Sequence, residues 1–278
     1  MRTIQTMAAL LLAAALAGCS NLKEVRDYAS ESARFAAYTE LTTRFRDTYE
    51  REQPYLTPAA QSLAKENDAR RLAAYRDLVA IHRAVTLYMQ TLARLAGEDS
   101  FDLSQEIGAV GSAIKAYPAL GISKKHADAA TGITRIAMKW AGAGYQEQAI
   151  KQMVREGEPH LQVTLDGMLA LVRYYRKTNE NEEKTVLGFL EVEIPFAESA
   201  GNRLLAALGR AHAQAKTSEY DSARKQYGAA ERGLKRIAEG HTRLLNNLGT
   251  LSRDEIRSSL GAIARDIKAT REDIATVR

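Results

Sequence analysis

The chain has 278 residues, a formal net charge of +5 and a single cysteine, and only 6% of its residues are aromatic. One cysteine excludes an internal disulfide and a thiolate metal cluster. Interspersed charge of modest size, without a basic block or an aromatic cluster, argues against a nucleic-acid partner.

The chain opens on Met1-Arg2-Thr3, a short positive start, followed by an apolar run from Met7 to Ala17. That run suits the core of a signal peptide and is far short of the roughly 20 apolar residues that span a bilayer. It ends in Leu16-Ala17-Gly18-Cys19, which departs from the small-x-small cleavage pattern of ordinary secretory signals and resembles the lipobox of bacterial lipoproteins. The resemblance implies a precursor with a signal peptide over 1–18, cleaved before Cys19, and acyl chains (palmitate among them) on Cys19. Ser20 in place of Asp points by the same resemblance to the outer membrane, with the body facing the periplasm. Each buried methylene contributes about 0.8 kcal/mol, so two or three acyl chains hold a protein at a membrane for its lifetime.

Helical periodicity dominates from Leu22 onward, and no alternating run predicts a strand. Leu22, Val25, Ala29, Ala36, Leu41 and Phe45 predict a first helix that ends at Pro54. Thr57 and Pro58 form a cap and first-turn proline for a second, whose core stripe is Leu78, Ile81, Val85, Tyr88, Leu92 and Leu95, closing at Gly97. Asp102 to Gln105 reads as a capping box, Pro118 with Gly121 as a stop, and Ser123 as the cap of a helix through Ile133, Ile136 and Trp140. This middle stretch is rich in Gly and Ala, which fits close helix packing.

Gly157-Glu158-Pro159 predicts a break, followed by an apolar stripe from Leu161 through Leu165, Met168 and Val172 to Tyr175. The polar run from Lys177 to Lys184 lacks Gly and Pro and predicts continued helix, with Val186, Phe189, Leu190 and Ile194 resuming the apolar face before Pro195. Tyr220, Ala223, Tyr227, Ala230, Leu234, Ile237, His241, Leu244, Leu248 and Leu251 then keep three-four spacing. Gly249 stops that helix, Ser252 with Glu255 opens the next, and Ile256 to Val277 continue the spacing, so 216–278 is expected to form a protruding antiparallel coiled-coil-like hairpin beside a helical-bundle body over 19–215. Tyr220-x-x-Ala223-x-x-x-Tyr227-x-x-Ala230 resembles half of a tetratricopeptide repeat. Its upstream half is misplaced by two residues and no second copy recurs, so it reads as ordinary hairpin packing.

Chemistry is sparse. The histidines His82, His126, His160, His212 and His241 show no i, i+4 pair, and neither a phosphate loop nor a nucleophile elbow occurs. Glu156-x-Glu158-x-His160 alternates faces of a helix and reads as a polar turn. His241 lies on the C-terminal seam, where it serves as a polar layer that fixes register or as a pH-sensitive switch. Trp140 with Lys139, and Arg173 with Tyr174, are the candidate contacts with a membrane or a partner. The sequence therefore predicts an all-α, elongated protein, attached through Cys19, with no catalytic residue, metal or cofactor. Its expected role is a scaffold or adaptor of a cell-envelope assembly that meets a protein partner through helix-helix contacts. A toxin-immunity or enzyme-inhibitor lipoprotein and a membrane-remodelling protein are the alternatives.

Overall fold

The computed structural model describes residues 22–109, 113–199, 201–251 and 253–276. Cys19 and the rest of the lipobox lie outside the described residues, as do Ser252 and Val277. Among the described residues the protein is all-α. The elements are α1 (Lys23–Ala36), α2 (Glu40–Arg46), α3 (Thr48–Glu52), a 3-10 turn (Gln53–Tyr55), α4 (Pro58–Leu95), α5 (Ser104–Ala109), a second 3-10 turn (Pro118–Leu120), α6 (Lys124–Trp140), α7 (Glu147–Phe196), α8 (Arg203–Asn246) and α9 (Asp254–Thr276). None is long and apolar enough to cross a membrane.

The starts and stops follow local chemistry. Thr57 caps α4 by accepting a hydrogen bond from the Ala60 amide, with Pro58 in the first turn. Ser123 caps α6 and His126 returns the bond to the Ser123 amide. Before α5, Asp102 Oδ1 accepts bonds from the Ser104 amide and hydroxyl. Gly97 and Gly121 take φ of 93° and 85°, the left-handed conformation that closes a helix or turn.

Two expected boundaries are corrected. The first helix does not run on to Pro54 but breaks between Ala36 and Glu40 and again at Asp47. At roughly 100° per residue, an unbroken helix would carry Leu41 and Phe45 about half a turn away from Val25, Ala29 and Ala36. The breaks return both to the core, where Leu41 is 6% and Phe45 3% exposed.

The second correction is at Gly157-Glu158-Pro159, where α7 continues without interruption and Pro159 lies inside it. Proline removes one helical donor, but Met153, Val154, Leu161 and Leu165 are buried on either side and hold the two segments on one axis. Gly157 is there for space: a Cβ would collide with the Tyr88 ring. Gly132, Gly233 and Gly240 give the same close approach to His160, Phe35 and Tyr28.

The long helices α7 and α8 run antiparallel. Gln162 bonds the Ala238 carbonyl, Arg176 pairs with Glu231, Arg224 with Glu183, and Arg210 with Glu198. The leading segment follows α8 in the opposite direction, with Tyr28 donating to the Ile237 carbonyl at 2.6 Å, Arg44 pairing with Glu219 at 2.8 Å and Tyr55 meeting His212. Leu22 therefore sits beside the C-terminal end of α8, and the α7–α8 turn sits at the opposite end. At 1.5 Å per residue these ends are roughly 60 Å apart.

The C-terminal pair α8–α9 is antiparallel, as Arg236–Asp266 and the Gln226 bond to the Ile274 carbonyl attest. Its seam is closed within the chain. Leu234, Ile237, Leu260, Ile263 and Ile267 belong to one hydrophobic core with Val25, Tyr28 and Phe35 of α1, so the stretch where α8 and α9 pair is part of the bundle and does not protrude from it. The helices that outrun their neighbours are α7 and α8, beyond the point where α9 ends beside Gln226.

Candidate interaction site at the hairpin tip

The bundle is sealed by two polar layers. In the lower one, His241 is fully buried, with Nδ1 against Glu158 Oε2 and Nε2 at 2.8 Å from the Tyr88 hydroxyl. Glu158 also accepts bonds from Thr242 and Gln162. Burial pushes the Glu158 carboxyl up, but the bonds from His241, Thr242 and Gln162 outweigh it and hold it below the usual carboxylate range. His241 therefore supplies a polar layer in the seam, and its partner comes from the tripeptide that reads as a break.

In the upper layer Glu182, only 1% exposed, accepts from Arg51 Nε and Nη2 at 2.9 and 2.8 Å and from the Tyr220 hydroxyl at 3.1 Å. Arg44 stands 3.9 Å away and links Asn179 and Glu219. A buried carboxylate needs this many donors, since an unsatisfied charge there would be strongly destabilising.

Above Glu182 a second, smaller apolar cluster begins. Val186 and Leu190 of α7 and Tyr220 of α8 form its buried part, with Tyr55, Leu187, Ile194 and Ala213 around them. Tyr55 lies edge-on to Phe189 of α7 at 5.7 Å and parallel to the His212 ring of α8, whose Nε2 is 2.6 Å from its hydroxyl. One aromatic side chain thus roofs both helices and shows that Phe189 and His212 lie on one face of the hairpin.

Beyond that roof the face is uncovered. Phe196 lies two turns from Phe189, and Leu208 and Leu205 lie one and two turns from His212, so all three continue the same face toward the tip. Phe196 is 79% exposed, and Leu205 and Leu208 are 59% each. Val192 and Leu204 are exposed at its margins. Contiguous apolar surface of this kind marks an interaction site, whereas single exposed leucines do not. Inside the hairpin the contacts use small residues. Ala206 is buried, and a Cβ on Gly209 would press on Ile194. The large side chains face water and the small ones face the partner helix, so the exposed leucines are not hidden by a slight shift of the pair.

The residues expected from sequence are dispersed. Trp140 is partly buried against the main core, with its indole nitrogen buried and unbonded, and Lys139 lies over its ring and pairs with Glu156 at 2.8 Å. Tyr174 packs edge-on against Phe45 at 5.7 Å and is 38% exposed, with Arg173 exposed next to it. Neither pair adjoins the tip. Among the described residues no group of three or more His, Cys, Asp or Glu residues could hold a metal ion. Comparison with family models, with curated proteins and with solved structures gives no match.

The sequence carried one readable signal for the tip. Arg203-Leu204-Leu205-Ala206-Ala207-Leu208-Gly209 has more apolar residues than one helix face can bury, and Ala206 and Gly209 take the inward positions while the three leucines stay exposed.

Proposed function

We propose that this protein is a lipid-anchored, non-catalytic scaffold or adaptor of the bacterial cell envelope, held by acyl chains on Cys19 and offering the tip of α7–α8 to a protein partner. The observation that carries this reading is the polarity of the rod. Leu22, three residues after Cys19, lies at the end opposite Phe196, so an anchored chain would carry its apolar face up to roughly 60 Å from the point of attachment. A short connection keeps the Leu22 end close to the anchor, because three residues span at most about 10 Å.

Palmitate labelling followed by membrane fractionation in the native bacterium tests the anchor. The native chain should carry label and sediment with outer membranes. Cys19→Ala should lose the label and remain uncleaved or appear in the soluble fraction. Equal fractionation of the two without label on either would overturn the reading.

A further inference from the structure

We infer that the cavity walled by α2, α3, α4 and α7 is a binding site for a free α-amino acid, whose carboxylate meets Arg71 and whose ammonium meets Glu52. The inference is independent of the anchor and of the hairpin tip.

The cavity encloses about 250 Å³. It is lined by Phe45 of α2, Glu52 of α3, Arg71 of α4, Leu120 of the second 3-10 turn, and Tyr174 and Asn181 of α7. Apolar walls with a few convergent polar groups, at this size, suit a small molecule rather than a peptide segment or a helix.

Arg71 carries the argument. It is 7% exposed, and its Nε and Nη2 are buried without a hydrogen-bond partner. Asp68 stands 3.7 Å from Nη2, too far for a hydrogen bond. The guanidinium carbon lies 6.0 Å from the centre of the Phe45 ring, so an aromatic face orients the group without using its donors. The adjoining polar layer shows what a buried arginine ordinarily receives, since Arg51 bonds Glu182 through both Nε and Nη2. The fold gives Arg71 no carboxylate at that distance. A carboxylate in the cavity supplies the missing anion, and a guanidinium takes one with two parallel bonds.

Glu52 supplies the complementary half. Burial pushes its carboxyl up, with the Arg71 guanidinium opposing. Burial likewise pushes the Arg71 guanidinium down, with Glu52 and Asp68 opposing. Among the described residues no ion pair joins Glu52 to Arg71, and the other charged side chain on the wall, Arg70, pairs with Glu66. One cation and one anion that share a cavity without meeting select a zwitterion. A phosphate dianion would be repelled by Glu52 and Asp68, and a simple carboxylate would leave Glu52 without a cation. Water satisfies donors but neutralises neither charge. Phe45, Leu120 and Tyr174 offer apolar surface to the amino acid's own side chain.

The test is titration calorimetry on the full chain, purified in detergent and dialysed, at neutral pH. The probes are the common L-amino acids taken singly, then propionate, propylamine and inorganic phosphate. At least one amino acid should bind with one-to-one stoichiometry, about tenfold or more tighter than propionate, propylamine or phosphate. Glu52 is half-buried and lies at the end of α3, so Glu52→Gln should keep the native circular dichroism melt. It should weaken the amino acid about tenfold to a hundredfold, the range for a hydrogen bond to a charged group, and leave propionate unchanged. Arg71→Gln should weaken both; if that variant does not fold, Glu52→Gln alone decides. No saturable binding of any amino acid at millimolar concentration overturns the inference. So does phosphate or propionate binding as tightly as the best amino acid, or an amino acid affinity that Glu52→Gln leaves unchanged.

Discussion

At the level of Tyr88 and His241 the apolar stripes of α7 and α8 are buried, as at Val154, Leu161, Ile237 and Leu244, whereas at the level of Phe196 and Leu205 the same two helices carry their large apolar side chains outward. The difference is one of company. Near His241, α7 and α8 are flanked by α1, α4 and α9, so each apolar stripe has a partner and the buried imidazole is bonded at both nitrogens. Near Phe196 only the two helices remain, and a two-helix layer has no inside large enough for Phe and Leu. Small residues then serve the internal contact, and the large ones are left for another surface. Glu182 with Arg44 and Arg51 separates the two regimes.

The comparison can be broken most sharply at that boundary. Glu182→Ala leaves Arg51 facing a buried, empty position and should cost about 3–5 kcal/mol in urea unfolding. An unchanged midpoint would show that the tip and the bundle are not joined through this layer. Next in size is Gly157→Ala, which presses on the Tyr88 ring and should cost about 1–3 kcal/mol by overpacking. The same change at Gly249, where nothing lies within 4 Å, should be close to neutral.

A third prediction concerns pH. His82 lies in the bundle with Nδ1 at 3.1 Å from the Ala36 carbonyl and Nε2 at 3.1 Å from the Thr42 hydroxyl. Burial pushes its imidazole down to about 4, with the Ala36 bond opposing. The folded value lies below the unfolded one, so the unfolded chain binds the extra proton between about pH 6.5 and 4. Stability is then fully present above pH 6.5 and falls as pH drops toward 4. With allowance for the ring's partial contact with water, the loss should be roughly 1–2 kcal/mol. His82→Gln should flatten that slope in melts taken across the same window.

The smallest expected effect sharpens the contrast from the tip side. Leu204→Ser should change monomer stability by no more than about 0.5 kcal/mol, because exposed positions away from packed features are nearly neutral. A loss of 2 kcal/mol, comparable to truncation of a core leucine, would mean that the side chain is already covered.

The elements were legible wherever one local rule decided them. Thr57-Pro58, Ser123, Gly97 and Gly121 mark helix ends through hydrogen bonds made within four residues, and the stripes around Leu92 and Ile237 name the buried face. The break read at Gly157-Glu158-Pro159 failed because both residues act through distant partners. Gly157 makes room for a ring 69 positions earlier in the chain, and Glu158 meets an imidazole 83 positions later. The tip was half legible: Phe189 and Ile194 stood in the expected apolar face, but their separation into an exposed and a half-buried residue depends on where Tyr55 falls.

By itself the sequence determined helix type, most helix ends, the buried stripes and the lipobox-like start, because periodicity and capping are local. Tertiary structure alone decided which helices share a core, which polar pairs seal it and which apolar residues are left over. Those outcomes depend on side chains tens to hundreds of residues apart meeting at one level. The C-terminal hairpin, expected to protrude, packs against α1 instead, and the uncovered surface appears where α7 and α8 outlast the helices around them.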